Sequence, residues 1–159
     1  MKGNPEVIDA LNKALRGELT SIDLYFVQSK ACRNWGYHKL AQKQYKESIE
    51  EMRHAEDAIE RILYLGGSPV AQADRIHLGA NVKELLEADL KLENKAVEVY
   101  NEGIKVCMQV GDAGSREVLE HILVQTEHHV EWLESQLRVI QEVGLENYLA
   151  DQIGEEKEP

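Results

Sequence analysis

Residues 47–56 read Glu47-Ser48-Ile49-Glu50-Glu51-Met52-Arg53-His54-Ala55-Glu56. In a helix, the three-residue spacing places Glu51 and His54 on one face. The same face carries apolar residues from the surrounding segment, namely Leu40, Ala55, Ala58, Ile62 and Leu65. A carboxylate on such a face costs on the order of several kcal/mol unless it is paired or bound to a metal. The stretch therefore predicts a buried polar site inside a helical protein.

Apolar residues recur at helical spacing along most of the chain. The pattern predicts helices over about 5–35, 38–65, 82–111 and 115 to just before Gly144, with a short apolar piece over 145–153. Asn81 is a suitable N-cap for the third helix, and Ser115 is expected to open the fourth. The segment 67–80 has no clear period. This order predicts an all-α four-helix bundle with a long crossover between helices 2 and 3 and a short fifth helix.

Length and charge narrow the class of protein. The 159 residues suit a single domain spanning 1–159, with an acidic tail from about residue 154. A net charge of −11 without a basic block argues against nucleic acid as a partner. The sequence has no apolar run of membrane-spanning length and no signal core at its start, so we expect a cytoplasmic protein with no membrane partner. Cys32 and Cys107 are isolated and are expected to be reduced.

Four predicted helices carry polar residues on their core-facing stripes. These residues are Glu18 on the first helix, Glu51 and His54 on the second, Glu93 on the third and His129 on the fourth. Taken alone, each is more often a solvated glutamate or a hydrogen-bonded histidine. As a set they favour a shared iron or manganese site, because two helix glutamates plus a Glu-x-x-His motif on each of two further helices form the di-iron pattern of ferritin-like bundles.

One position departs from this pattern. Thr126 lies three residues before His129, where a glutamate is expected. Glu127 points about 160° away from His129 unless a π-bulge shifts the helix, whereas Gln125 is predicted to share the inner face as a weaker neutral ligand. We therefore expect a weakened iron position on the His129 side.

The second helix carries another apolar stripe, displaced by about 100° from the Glu51 face. It consists of Tyr45, Ile49, Met52, Ile59 and Leu63. Spacing alone favours packing in a symmetric oligomer interface, with Met52 as filler.

Over almost its whole length the chain resembles bacterioferritin. The motif of residues 47–56 carries the resemblance, together with Glu18, Glu93 and the run His129-Val130-Glu131-Trp132-Leu133-Glu134. The resemblance implies that Glu18, Glu51, His54, Glu93 and His129 are metal ligands and catalytic residues. It also implies that Met52 is an axial ligand of haem b between paired subunits, in a shell of about 24 subunits.

The resemblance further implies iron storage, with Fe(II) oxidation at a di-iron site and haem-mediated electron transfer from a small ferredoxin for iron release. Two departures bear on the oxidation. Thr126 replaces a bridging glutamate, and Lys46 stands where some members have an iron-binding histidine. Some members divide the work between two subunit types, and this chain resembles the haem-holding type. The alternative is thus a non-catalytic haem-bearing subunit with a second bacterioferritin subunit as partner. A di-iron oxidase and a DNA-protecting miniature ferritin fit less well.

Overall fold

The computed structural model describes residues 2–155, which form five helices and, within that range, no strand. The helices are α1 (Pro5–Asn34), α2 (His38–Tyr64), α3 (Val82–Val110), α4 (Ala113–Val143) and α5 (Leu145–Gln152). The predicted all-α bundle with a short fifth helix is confirmed. Most of the predicted acidic tail, residues 156–159, lies outside the described part of the chain.

Side-chain caps explain where two of the long helices begin. The Asn4 side chain accepts a hydrogen bond from the Glu6 backbone N–H at the start of α1, with proline as the first helical residue. Asn81 caps α3 as predicted, accepting from the backbone N–H of Glu84. At the other end of α3, Gly111 adopts φ +73°, a left-handed conformation that favours glycine and ends the helix.

The predicted start of the fourth helix was wrong by two residues. The helix begins at Ala113 and not at Ser115, and its N-cap is Asp112, whose carboxylate accepts from the backbone N–H of Ser115 at 3.0 Å. Arg61 of α2 donates to the same carboxylate at 2.9 Å. Ser115 therefore lies inside the first turn, and the cap also ties α4 to α2.

The link between α2 and α3 runs along α1, as the crossover prediction requires. The Asn12 side chain donates to the Ser68 carbonyl and accepts from the Val70 N–H. Further along α1, the Thr20 hydroxyl accepts from the Asp74 N–H. Because eight helical residues separate Asn12 from Thr20, the link follows about 12 Å of the bundle between these contacts alone.

The bundle has an apolar core at each end. One core joins the first half of α1, the last half of α2, the last half of α3 and the first half of α4, including Leu11, Ile62, Cys107 and Leu119. The other joins the opposite halves of the four helices and α5, including Cys32, Leu40, Leu86 and Ile140. Since α2 and α3 begin at the same end, they run parallel, as a full-length crossover demands. A polar layer lies between the two cores.

Candidate metal site

The five predicted site residues meet in this polar layer, halfway along the bundle. Each is at most 5% exposed. Glu18 comes from α1, Glu51 and His54 from α2, Glu93 from α3 and His129 from α4. The helical periodicity that placed them on inner faces is therefore confirmed, while their role as ligands stays a prediction.

One end of the layer is centred on His54. Its Nδ1 lies 3.5 Å from a Glu18 oxygen and 3.6 Å from a Glu51 oxygen. Glu18, Glu51 and His54 each offer a ligand atom within 4.8 Å of the others. Two carboxylates and one imidazole at this separation suit a divalent metal such as Fe(II).

The other end is centred on His129. Its Nδ1 lies 3.4 Å from a Glu93 oxygen and 3.6 Å from a Glu47 oxygen. The Tyr25 hydroxyl donates a hydrogen bond to Glu93. The imidazole lies edge-on to the Tyr25 ring and stacks at 6.0 Å on Trp132, so aromatic contacts on two sides fix its orientation.

Burial makes these carboxyl groups weak acids. Burial raises the pKa of Glu18 to about 8, and the charge of Glu93 adds to the effect, although a hydrogen bond with Glu51 opposes it. Burial and then the charge of Glu18 raise the pKa of Glu51 well above its usual range. For His54, burial lowers the pKa, but the nearby Glu51 carboxylate outweighs this effect and the pKa rises. His129 behaves in the same way beside Glu93.

Several buried polar side-chain atoms lack a hydrogen-bond partner among residues 2–155. They are Glu18 Oε2, His54 Nδ1 and both ring nitrogens of His129, together with the Gln44 side-chain oxygen nearby. Unsatisfied buried polar atoms are rare because each costs free energy. A cation bound between the carboxylates would satisfy Glu18 Oε2, His54 Nδ1 and one ring nitrogen of His129, so these residues fit a metal.

A model of the ferritin-like domain family matches residues 8–143. The bacterial ferritin of Pseudomonas aeruginosa is 47% identical over 154 residues, covering 96% of this chain and all of that protein. The chain belongs to the bacterioferritin family. The bacterioferritin of Brucella melitensis is 42% identical over 149 residues, covering 93% of this chain and 92% of that protein. That of Rhodobacter capsulatus is 41% identical with the same coverage.

In this bacterioferritin-family chain, the Thr126 position offers no carboxylate to His129. Thr126 is 1% exposed, and its hydroxyl donates to the Ile122 carbonyl at 2.9 Å. The α4 helix is unbroken from Ala113 to Val143, so no bulge turns Glu127 inward, and Glu127 is exposed. Gln125 was predicted on the inner face but is exposed at the mouth of the site, because Thr126 takes the inward direction one residue later.

The sequence reasoning missed Glu47 as a site residue. Glu47, Glu51 and His129 form a second group whose ligand atoms lie within 4.8 Å of one another. Glu47 lies one helical turn before Glu51, which was a usable signal. Its charged neighbours, Lys46 and Glu50, made that part of the helix resemble a solvated face.

A cavity of about 150 Å³ connects this second group to the surface. Eight residues line it: Lys43, Glu47, Glu50, Glu51, His54, Gln125, His128 and His129. The mouth is therefore charged and polar. Because the cavity touches both His54 and His129, small cations have a polar route to the layer that does not cross either apolar core.

A buried network borders the site toward the α5 end. Asp89 accepts hydrogen bonds of 2.7 Å from both Gln28 and Gln44. Burial raises the pKa of Asp89 to about 7, against the lowering effect of these two bonds. The network joins α1, α2 and α3 beside the candidate ligand residues. It was not predicted, because Gln and Asp on a helix are usually solvated.

The second apolar stripe lies on the outer surface of the bundle, as its displacement predicted. Met52 is 44% exposed, although Glu51 beside it is buried. Ile49 and Ile59 are half-buried, and Leu63 is exposed. A soft thioether on an exposed apolar face is available to a partner molecule or ligand. No helix among residues 2–155 has the length and apolarity needed to cross a bilayer.

Proposed function

We propose that this chain stores iron as one subunit of a hollow shell of about 24 copies in the cytoplasm, and that it oxidises Fe(II) inside its helical bundle. The observation that carries the proposal is the buried layer of carboxylates and imidazoles, which leaves donor atoms of Glu18, His54 and His129 without partners. The family of the chain and the donor set both favour iron as substrate.

In the proposed reaction, Glu18 and His54 hold one Fe(II), Glu93 and His129 hold the other, and Glu51 lies between them. Each Fe(II) gives up one electron, and dioxygen accepts both electrons with two protons to become hydrogen peroxide. Buried carboxylates stabilise the extra positive charge on the products because the surroundings have a low dielectric constant. The oxidised iron then leaves through the polar cavity for storage.

The Thr126 position should make this oxidation slow. Its side chain is neutral, and its hydroxyl is engaged with the Ile122 carbonyl. A metal pair held with one fewer buried carboxylate keeps more net positive charge, which lowers affinity at the His129 end.

Stopped-flow oxidation of Fe(II) by the purified oligomer tests the proposal. We expect a saturable phase at up to about two irons per subunit, slowed at least about tenfold by Glu18→Gln. Asp9→Asn is the matched control, because Asp9 lies on the same helix, exposed and paired with Lys13. Equal rates for Glu18→Gln and the parent protein would refute oxidation inside the bundle.

We also propose that Met52 binds haem b at an interface between two subunits. Support comes from the exposed Met52 side chain on an apolar face, because thioethers are soft ligands that suit haem iron. When bound, haem supplies one-electron transfer, the chemistry that reductive iron release with a small ferredoxin requires. Met52→Leu should abolish haem binding measured by the Soret band, whereas Met108→Leu should not; Met108 lies on α3 and is 59% exposed, against 44% for Met52. Retained haem in Met52→Leu would refute the assignment.

A second candidate is a haem-bearing shell subunit that relies on a different subunit for fast oxidation. The neutral Thr126 and the exposed Met52 together favour it. The stopped-flow experiment separates the two candidates. A rapid saturable phase in the homo-oligomer excludes the second candidate. If the rapid phase appears only after assembly with a second subunit type that has glutamate at the position of Thr126, the second candidate is supported.

A further inference from the structure

The His129 end of the layer has a histidine with no hydrogen-bond partner and a threonine that cannot act as a charged ligand. Both ring nitrogens of His129 are buried and unpartnered among residues 2–155. The Thr126 hydroxyl donates to the Ile122 carbonyl, so its proton is already used within the helix. A second metal at this end needs a carboxylate from elsewhere.

Glu47 lies in the right place to supply it. Its side chain is only 13% exposed, and one of its oxygens lies 3.6 Å from His129 Nδ1. Ligand atoms of Glu47, Glu51 and His129 fall within 4.8 Å of one another. On α2, Glu47 and Glu51 are one turn apart, so both carboxylates point toward α4 from the same face.

The other Glu47 oxygen forms an ion pair with the side-chain ammonium of Lys43. Lys43 Nζ lies 2.7 Å from Glu47 Oε1 and 4.6 Å from the centre of the Trp132 ring on α4. The ammonium is thus fixed between α2 and α4, and it occupies Oε1. Oε2 faces His129, so Glu47 can offer this one oxygen to a metal ion bound beside His129.

We infer that Glu47 replaces the carboxylate missing at position 126 and, with Glu51, Glu93 and His129, binds a second divalent cation at the His129 end. This inference rests on the proposed function, since it concerns the same buried layer. The Glu47 side chain is 13% exposed whereas that of Glu18 is 1% exposed, so this position should exchange its metal faster than the His54 position.

Anaerobic Co(II) titration of the whole oligomer tests the inference without relying on oxidation. Trp132 stacks on His129, so Co(II) bound to His129 should quench its fluorescence more strongly than Co(II) bound at the His54 end. The sequence has one other tryptophan, Trp35, and a Trp35→Phe background leaves Trp132 as the single reporter. Bound Co(II) is counted in parallel by calorimetry.

Three variants are compared in that background. Glu47→Gln removes the charge with little change in size. Glu50→Gln is the matched control, because Glu50 lines the same cavity but its carboxylate is paired with Arg53 at 2.6 Å. The double variant Glu47→Gln with Thr126→Glu returns a carboxylate to the family's position.

We expect about two Co(II) ions per subunit and Trp132 quenching in the parent and in Glu50→Gln. Glu47→Gln should weaken the quenching phase at least about tenfold and leave about one tight ion, and the double variant should recover it. Unchanged quenching in Glu47→Gln would overturn the inference while leaving the proposed function intact. A parent that binds about one ion without quenching would also overturn it. No Co(II) in the bundle of any variant would defeat the proposed function as well.

Discussion

The two ends of the polar layer use the same donor types but differ in how they are enclosed. At the His54 end, Glu18 and Glu51 are at most 3% exposed, and they lie 3.5 and 3.6 Å from the imidazole. At the His129 end, the Glu47 side chain is 13% exposed and shares its charge with Lys43. The polar cavity touches both histidines, but only the His129 end has a partly exposed carboxylate, that of Glu47, on its wall.

This difference in exposure predicts which end binds a metal ion tightly and which end exchanges it. A carboxylate sealed from water gains most when a cation neutralises it, because the charge is otherwise poorly solvated. A carboxylate that keeps contact with water and a lysine gains less and releases its cation more easily. The His54 end should therefore fill first and hold longest, and the His129 end should load and unload.

The largest effect on Fe(II) oxidation should come from Glu51→Ala, because this change alters both ends of the polar layer. Glu51 belongs to both ligand groups, so its loss removes a donor from each metal position. We expect Fe(II) oxidation to slow at least about 100-fold, measured by stopped-flow absorbance. Glu56→Ala, an exposed change on the same helix, should leave the rate unchanged. A smaller loss in Glu51→Ala than in Glu18→Gln would show that Glu51 is not shared.

Replacing the two histidines separately should distinguish the ends. His54→Ala should weaken the tighter Co(II) ion by about 100-fold, and His129→Ala should weaken the looser ion by about tenfold. Calorimetry of the metal-free oligomer measures both constants. Equal losses in the two variants would mean that enclosure does not rank the positions.

Thr126→Glu should reduce the difference between the ends. The new carboxylate projects from the inner face of α4, where Thr126 is 1% exposed, so it can neutralise a metal beside His129. We expect about tenfold faster Fe(II) oxidation. Thr126→Val is the control for loss of the hydroxyl alone and should leave the rate near that of the parent. No gain in Thr126→Glu would show that this position does not limit the reaction.

The smallest expected effect is on the stability of the metal-free protein, through Glu18 at the His54 end. The pKa of Glu18 is about 8 in the fold against an ordinary value of 4.5. The stability that depends on its bound proton is complete below about pH 4.5 and is lost as pH rises through 8. The melting temperature of the protein, freed of metal with a chelator, should fall by about 5 °C from pH 6 to pH 8, and by less in Glu18→Gln. A rise over this range would contradict the burial argument.

Helix positions were predictable because the apolar period is regular and the caps are local. Asn81 and Gly111 end α3 where the sequence indicated. The start of α4 was missed because Asp112 and Ser115 are both good caps, and the choice depends on Arg61, a residue of another helix. Contacts across helices cannot be read from spacing along one of them.

The candidate site also has one part that spacing along a helix predicts and another part that depends on contacts between helices. Five buried residues were predictable because each interrupts an apolar stripe. Glu47 was not, because its partner His129 lies on another helix and its burial comes from packing against α4. Gln125 was misplaced for a related reason, since one residue of rotation moves a side chain by about 100°.

The raised pKa of Glu18 has a consequence for charge balance. At neutral pH this buried carboxyl keeps its proton, so the metal-free layer carries less negative charge than its formula suggests. A divalent cation that enters must displace protons, because only the ionised carboxylate binds it well. If the layer binds Fe(II) as proposed, iron should therefore enter as protons leave, and the net charge between the two apolar cores should rise by less than the charge of the ion.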